Sequence, residues 1–156
     1  MHPRVDEFVA RVEDRHGFDA AVTEFSETTR TAGDAAAAIG CSVAQIASSL
    51  VFLVDGDPVV AVTSGANRVD ESALAGVAGA ETVEMADPET VQETTGWAIG
   101  GVPPICHDRP VPVYVDETLT DHAEVWAGAG VPEAVFPIAP DDLIAFADAT
   151  PAAFVE

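Results

Sequence analysis

Val5, Phe8, Val9 and Val12 recur at helical spacing behind Pro3, and Gly17 follows as a stop, so the pattern predicts an amphipathic helix over 3–16. Residues 32–39 form a second helical run ending at Gly40, and 43–47 a short one capped by Ser42. The period then changes to that of strands. Runs 49–54 and 59–63 are β-rich and flank Asp55-Gly56-Asp57-Pro58, which is hairpin punctuation. Farther on, 71–78 reads as a helix, 82–85 as a short strand, and Asp87-Pro88 as the cap and first turn of a helix to about residue 94. Residues 97–99, 111–115, 124–126 and 134–138 predict further strands, and Pro140 opens a last helix through Phe146. Helices and strands alternate without the period of a solenoid. The expected class is α/β, a mixed, barrel-like sheet or open barrel flanked by helices, in a single domain over 1–156.

Charge changes this picture more than any other compositional feature. The chain carries 27 carboxylates against six basic residues, all arginine, for a formal charge of -21. Hydrophobic residues make up 48%, which excludes disorder. Self-repulsion at this density weakens a compact state in dilute salt, whereas at molar salt the screening length shrinks to about 3 Å. The expected setting is a salt-rich cytoplasm. No run is apolar enough to span a bilayer, no signal peptide is visible, and no basic cluster offers a grip on membrane or DNA. Cys41 and Cys106 form neither a disulfide framework nor a zinc motif with His107 and His122, so no metal or cofactor is expected. Arg4, Arg11 and Arg15 make a stripe on the first helix; ion pairing with Glu7 and Asp14 is the favoured reading over contact with a polyanion.

Two segments carry candidate chemistry. In Trp97-Ala98-Ile99-Gly100-Gly101-Val102-Pro103-Pro104-Ile105-Cys106-His107, an expected strand runs into paired glycines and paired prolines, a stiff loop whose amides can hold an oxyanion. Gly101→Ala is expected to abolish function while sparing the fold. Cys106 and His107 point to opposite faces of an extended chain, which disfavours a thiol nucleophile; His107 alone is a candidate for orienting substrate. The second segment, Gly65-Ala66-Asn67-Arg68-Val69-Asp70, offers an amide, a guanidinium and a carboxylate for a phosphate, ribose or base edge, or else a helix cap at Asp70. Asp116 likewise reads as a ribose or amine ligand or as a cap before Glu117-Thr118-Leu119.

In order along the chain stand Ala35-Ala36-Ala37-Ala38-Ile39-Gly40, Gln45-Ile46-Ala47-Ser48-Ser49-Leu50-Val51-Phe52, Ser64-Gly65-Ala66-Asn67-Arg68-Val69-Asp70, Gly100-Gly101-Val102-Pro103-Pro104 and Val113-Tyr114-Val115-Asp116. Through this ordered set the chain resembles the YbaK/prolyl-tRNA-synthetase-associated editing domain family over about residues 30–143. The resemblance implies an aminoacyl-tRNA deacylase acting in trans on the single-stranded 3′ end of mischarged tRNA, with an aminoacyl-tRNA synthetase as a further partner. With it the candidates at the chemistry are Gly100, Gly101, Ser48 and His107, and those around the substrate are Asn67, Arg68, Asp70, Pro104, Asp116 and Arg30. Where relatives carry lysine after the Gln-Ile-x stretch this chain has Ser48, and it contains no lysine at all. Arg68 or Arg30 then substitutes for the missing cation, or the domain is a non-catalytic descendant that binds an aminoacyl or nucleotide ligand or a synthetase.

Overall fold

A computed structural model describes residues 2–25 and 31–156. Helix α1 (Pro3–His16) buries Val5, Phe8 and Val12 completely and ends where Gly17, at φ +63°, donates its N–H to Glu13 C=O at 2.9 Å. Helices α2 (Ala32–Ile39), α3 (Glu71–Ala78), α4 (Pro88–Thr95) and α5 (Pro140–Ala147) follow the hydrophobic periods read from the sequence. Eight strands form one mixed sheet: β1 (Thr23–Glu24), β2 (Ile46–Val54), β3 (Asp57–Ser64), β4 (Val83–Met85), β5 (Val113–Asp116), β6 (Val125–Gly128), β7 (Ala134–Ile138) and β8 (Thr150–Ala152). Their order is β1-β7-β6-β2-β3-β5-β8, with β4 added on β2. The end strands do not pair with each other among the described residues, so the sheet is an open form of the expected barrel.

Alternation along β2 and β3 divides the interior. Ala47, Val51, Val60 and Val62 point to one face, where they meet Val5, Phe8 and Val12 of α1, Val91 of α4 and Leu143 of α5. Phe52, Val54, Val59 and Ala61 point to the other, against Leu74 of α3 and Phe154. Ile46 packs on Ala35 and Ala36 of α2. The hairpin turn is tighter than its punctuation implied. Val54 pairs with Asp57, leaving two turn residues, Asp55 at φ +49° and Gly56 at φ +86°, the left-handed pair that matches strand twist.

Two expected elements differ from the sequence reading, and β1 and β8 were not expected. The helix expected over 43–47 is a single 3₁₀ turn (Val43–Gln45), and Ile46 and Ala47 already belong to β2, because they pair with Trp126 and Ala127 of β6. The strand expected over 97–99 is absent. Trp97 N–H donates to Thr95 Oγ1 at 3.1 Å and Ala98 C=O accepts from Gly101 N–H at 3.0 Å, so the chain turns back on itself before any neighbour can pair with it.

Candidate active site at the fork in the sheet

Strand β2 has two different edges. One is paired with β3 from Ala47 to Val54. The other is shared: Ile46 and Ala47 pair with β6, and Phe52, Leu53 and Val54 with β4. Ser48, Ser49 and Leu50 lie between these partners with no strand beside them on this edge. The sheet forks there, and a cleft of about 250 Å³ fills the fork. Backbone direction alternates along a strand. Ile46 C=O turns to the β3 side, where it accepts from Gly65 N–H at 2.7 Å, and Val51 C=O turns to the β4 side, where it accepts from Ala86 N–H at 3.0 Å. Ser49 shares the parity of Val51, so its N–H and C=O face the fork.

The walls come from four places. Thr31, Ala32 and Ala35 supply the α2 side; Trp126, Gly128, Pro132, Ala134 and Val135 the β6–β7 side; Met85, Ala86 and Val91 the β4–α4 side; and Ile99, Gly100 and Val102 the loop after α4. Met85 and Ile99 are about half exposed. In a chain with 27 carboxylates, no lining residue among the described residues carries an ionisable side chain. Polar groups of the described lining are hydroxyls, backbone and the Trp126 indole N–H.

The two glycines of the loop have separate jobs. Gly100 lines the cleft at φ +89°, a conformation that side chains disfavour, and its N–H meets no protein acceptor among the described residues. Gly101 has its N–H committed to Ala98 C=O, while its own C=O accepts from Gly130 N–H at 3.0 Å. A Cβ on Gly101 would lie 2.6 Å from Val131 Cα, so this glycine admits the β6–β7 turn against the loop. Ile99 and Val102, which also line the cleft, likewise have N–H groups without an acceptor among the described residues. Gly101 is therefore not an available donor, whereas Gly100 and Val102 are.

The family described as the aminoacyl-tRNA editing domain matches residues 26–146. The chain belongs to it. A solved structure described as a candidate trans-editing enzyme for prolyl tRNA synthetase superposes on this editing domain with a TM-score of 0.95, at 39% identity, covering 100% of this chain and 99% of the other. The uncharacterized protein YwhH of Bacillus subtilis (strain 168) is 34% identical over 128 residues, 80% of each chain. The proline–tRNA ligase of Lactiplantibacillus plantarum is 31% identical over 85 residues, 54% of this chain and 15% of the ligase.

Within the editing domain, the fork brings together Ser48 and Gly100 of the residues singled out from sequence. Ser48 is half-buried opposite Thr63, and its hydroxyl makes no hydrogen bond among the described residues. The others lie elsewhere. His107 Nε2 sits 2.7 Å from Pro103 C=O, and its pKa is lowered first by burial and further by Arg15, which keeps the ring neutral near pH 7. Pro104 is buried outside the lining. Cys106 is buried, and that burial raises its thiol pKa, which removes it as a nucleophile.

The segment Gly65-Ala66-Asn67-Arg68-Val69-Asp70 is tied into structure. Asp116 is fully buried; its oxygens accept from Ser64 N–H (3.1 Å), Asn67 Nδ2 (2.9 Å), Thr118 N–H (3.0 Å) and Thr118 Oγ1 (2.8 Å), leaving no capacity for a ligand. Asp70 caps α3 through Ser72 and Ala73 N–H. Arg68 is exposed and accepts from Glu156 N–H through its own C=O. Arg30 lies outside the described residues. Sequence reasoning missed Thr31, Ala32, Trp126 and Pro132 as lining residues; the small side chains of α2, read as helix packing, were the one available signal.

Proposed function

We propose that this chain is a trans-acting deacylase that hydrolyses the ester between a wrongly attached amino acid and the 3′ end of tRNA. One methylene discriminates by only about 1–3 kcal/mol, so synthetases mischarge similar amino acids and a second, hydrolytic site is required. The observation that carries the reading is the uncharged fork with the unengaged Gly100 amide in its wall. In the proposed mechanism the ester carbonyl oxygen accepts from Gly100 and Val102 N–H. Water attacks the carbonyl carbon, the bond to the ribose oxygen breaks, and the proton from water passes by way of the neighbouring ribose hydroxyl to the leaving oxygen. Free amino acid and tRNA with a free 3′ end result. An oriented amide donor is worth roughly 3 kcal/mol at the oxyanion. With no titratable side chain in the lining among the described residues, the proposed base comes from substrate, and a cleft so lined disfavours an amino acid with a charged side chain. The likeness to proline–tRNA ligases supports a synthetase that charges proline as the source of the mischarged substrate.

Ser48 favours a second reading, a binding module that has lost turnover, because the family resemblance places a lysine there. The test is deacylation of a panel of mischarged tRNAs in concentrated KCl by the wild type and by Ser48→Lys. The expected result is turnover by the wild type. A lysine adds a charge-assisted contact of about 1.5–3 kcal/mol that salt weakens, so the variant should gain mainly at low KCl. An inactive wild type restored by Ser48→Lys at every salt concentration establishes the binding module instead. Inactivity of both proteins on every tRNA removes the substrate class.

A further inference from the structure

The loop that carries Gly100 is long and irregular: from Gly96 to Pro112 it contains neither helix nor strand. Its shape is fixed from outside. Three arginines of α1, at i, i+7 and i+11 on one face, each donate to a loop carbonyl: Arg4 Nη2 to Gly96, Arg11 Nη1 to Cys106 at 3.3 Å, and Arg15 Nη1 to His107 at 3.3 Å. Arg11 also pairs with Asp108 at 2.8 Å and with Glu7 at 2.9 Å, and Arg4 pairs with Glu7. The second carboxylate of the stripe is thus Asp108 rather than Asp14. Between the guanidinium groups lies Trp97, fully buried, with Arg4 4.1 Å and Arg11 5.1 Å from its ring centroid. Trp97 Nε1 donates to Cys106 C=O at 3.0 Å and ties the two ends of the loop. Its ring approaches Gly130 so closely that a Cβ there would be 2.9 Å from Cζ3, and Gly130 N–H holds Gly101 C=O. A continuous set of contacts therefore runs from the α1 arginines through Trp97 and Gly130 to the glycine beside Gly100.

We propose that Arg4, Arg11 and Arg15 are positioning residues that hold the Gly96–His107 loop so that the Gly100 amide faces the fork. Half the basic residues of the chain are committed to this brace, on a helix that precedes the residues matched by the family. Arginine suits the task because its rigid planar fork reaches separated acceptors while its face stacks on an indole; the compact ammonium of lysine has donors but neither the fork nor a stacking plane. The proposal rests on the deacylase reading for its kinetic arm only.

The experiment uses the full chain and two variants, Arg11→Met and Arg15→Met, with Arg11→Lys as the conservative control. Amide hydrogen exchange is followed at Gly101 and Gly130, whose N–H groups are held by Ala98 and Gly101 C=O, and, as reference, at Val60 and Val62 of the sheet. Deacylation is measured in parallel for kcat and KM. The expected result is loop exchange faster by about tenfold with sheet exchange unchanged, and kcat lower by about tenfold with KM within twofold, since a displaced donor affects the transition state more than binding. Arg11→Lys should recover only part of kcat. Unchanged loop exchange, equal acceleration in loop and sheet, or full rescue by lysine overturns the brace. If Arg11→Met does not fold, Arg15→Met, whose contact is a single exposed hydrogen bond, gives the same readings. If the wild type deacylates nothing, the exchange arm still decides the brace while the kinetic arm reports failure of the deacylase reading.

Discussion

At the scale of single residues, Gly100 and Gly101 are adjacent and of one type, yet their substitutions separate position from packing. Alanine at Gly100 meets Pro132 Cγ at 3.4 Å, an ordinary contact, but is held at φ +89°, so its cost is backbone strain of about 1 kcal/mol. Alanine at Gly101 drives a methyl into the Val131 backbone at 2.6 Å, and overpacking of this kind costs about 1–3 kcal/mol. Gly101→Ala should therefore lower Tm more than Gly100→Ala does, whereas Gly100→Ala should cut kcat at nearly full stability. Thermal unfolding of both variants beside a deacylation assay checks this; the reverse order of Tm would place the packing contact at the wrong glycine. The expectation that Gly101→Ala spares the fold fails on this contact. Sequence pointed to the glycine pair because glycine is the residue of close approach, but it held no sign of which glycine approaches backbone and which approaches ligand. That difference is made by Val131 and Gly130, 30 residues away.

At the scale of elements, β3 and β5 are parallel neighbours whose C-terminal ends are joined by one buried carboxylate. Asp116, the last residue of β5, takes the N–H of Ser64, the last residue of β3, and the amide of Asn67. Asp116→Ala leaves these donors buried or half-buried without a partner, at about 1–3 kcal/mol. The measurable outcome is a lower urea midpoint with the m-value unchanged; an unaltered midpoint would show that the 64–70 turn is held by other contacts. The helices were legible in the sequence because their caps are local: Pro3, Asp70 and Asp87-Pro88 each sit where the chain starts a helix. The β2–β3 hairpin was legible for the same reason. Strands whose identity depends on a distant partner were not. Residues 97–99 have β composition but lie in a loop closed by Trp97 Nε1 and Cys106 C=O, while 150–152, with Pro151 in the middle, pair with β5 and gave no strand signal. The fork was invisible to local pattern, since it is a property of two short strands meeting one long one.

For the whole molecule, the charge of -21 predicts that stability rises with salt. Far-UV CD melts in dilute buffer and in molar KCl should show a higher midpoint in KCl; equal midpoints would mean that the carboxylates are spaced widely enough not to repel. The uncharged lining of the fork has a second consequence, for the sign of the salt effect on substrate capture. Proteins that bind nucleic acid through lysines and arginines release counterions and lose affinity as salt rises. On the proposed reading a polyanion meets a surface of its own sign, and the ester is cleaved in a cleft whose described lining has no formal charge to screen. Added KCl then shortens the range of repulsion without weakening any contact at the ester. KM for aminoacyl-tRNA should fall with KCl while kcat stays level, and a minimal aminoacyl-adenosine ester, having no phosphate chain, should show neither trend. On that reading the electrolyte of the surroundings takes the part that a basic face plays in proteins that grip RNA through lysine and arginine.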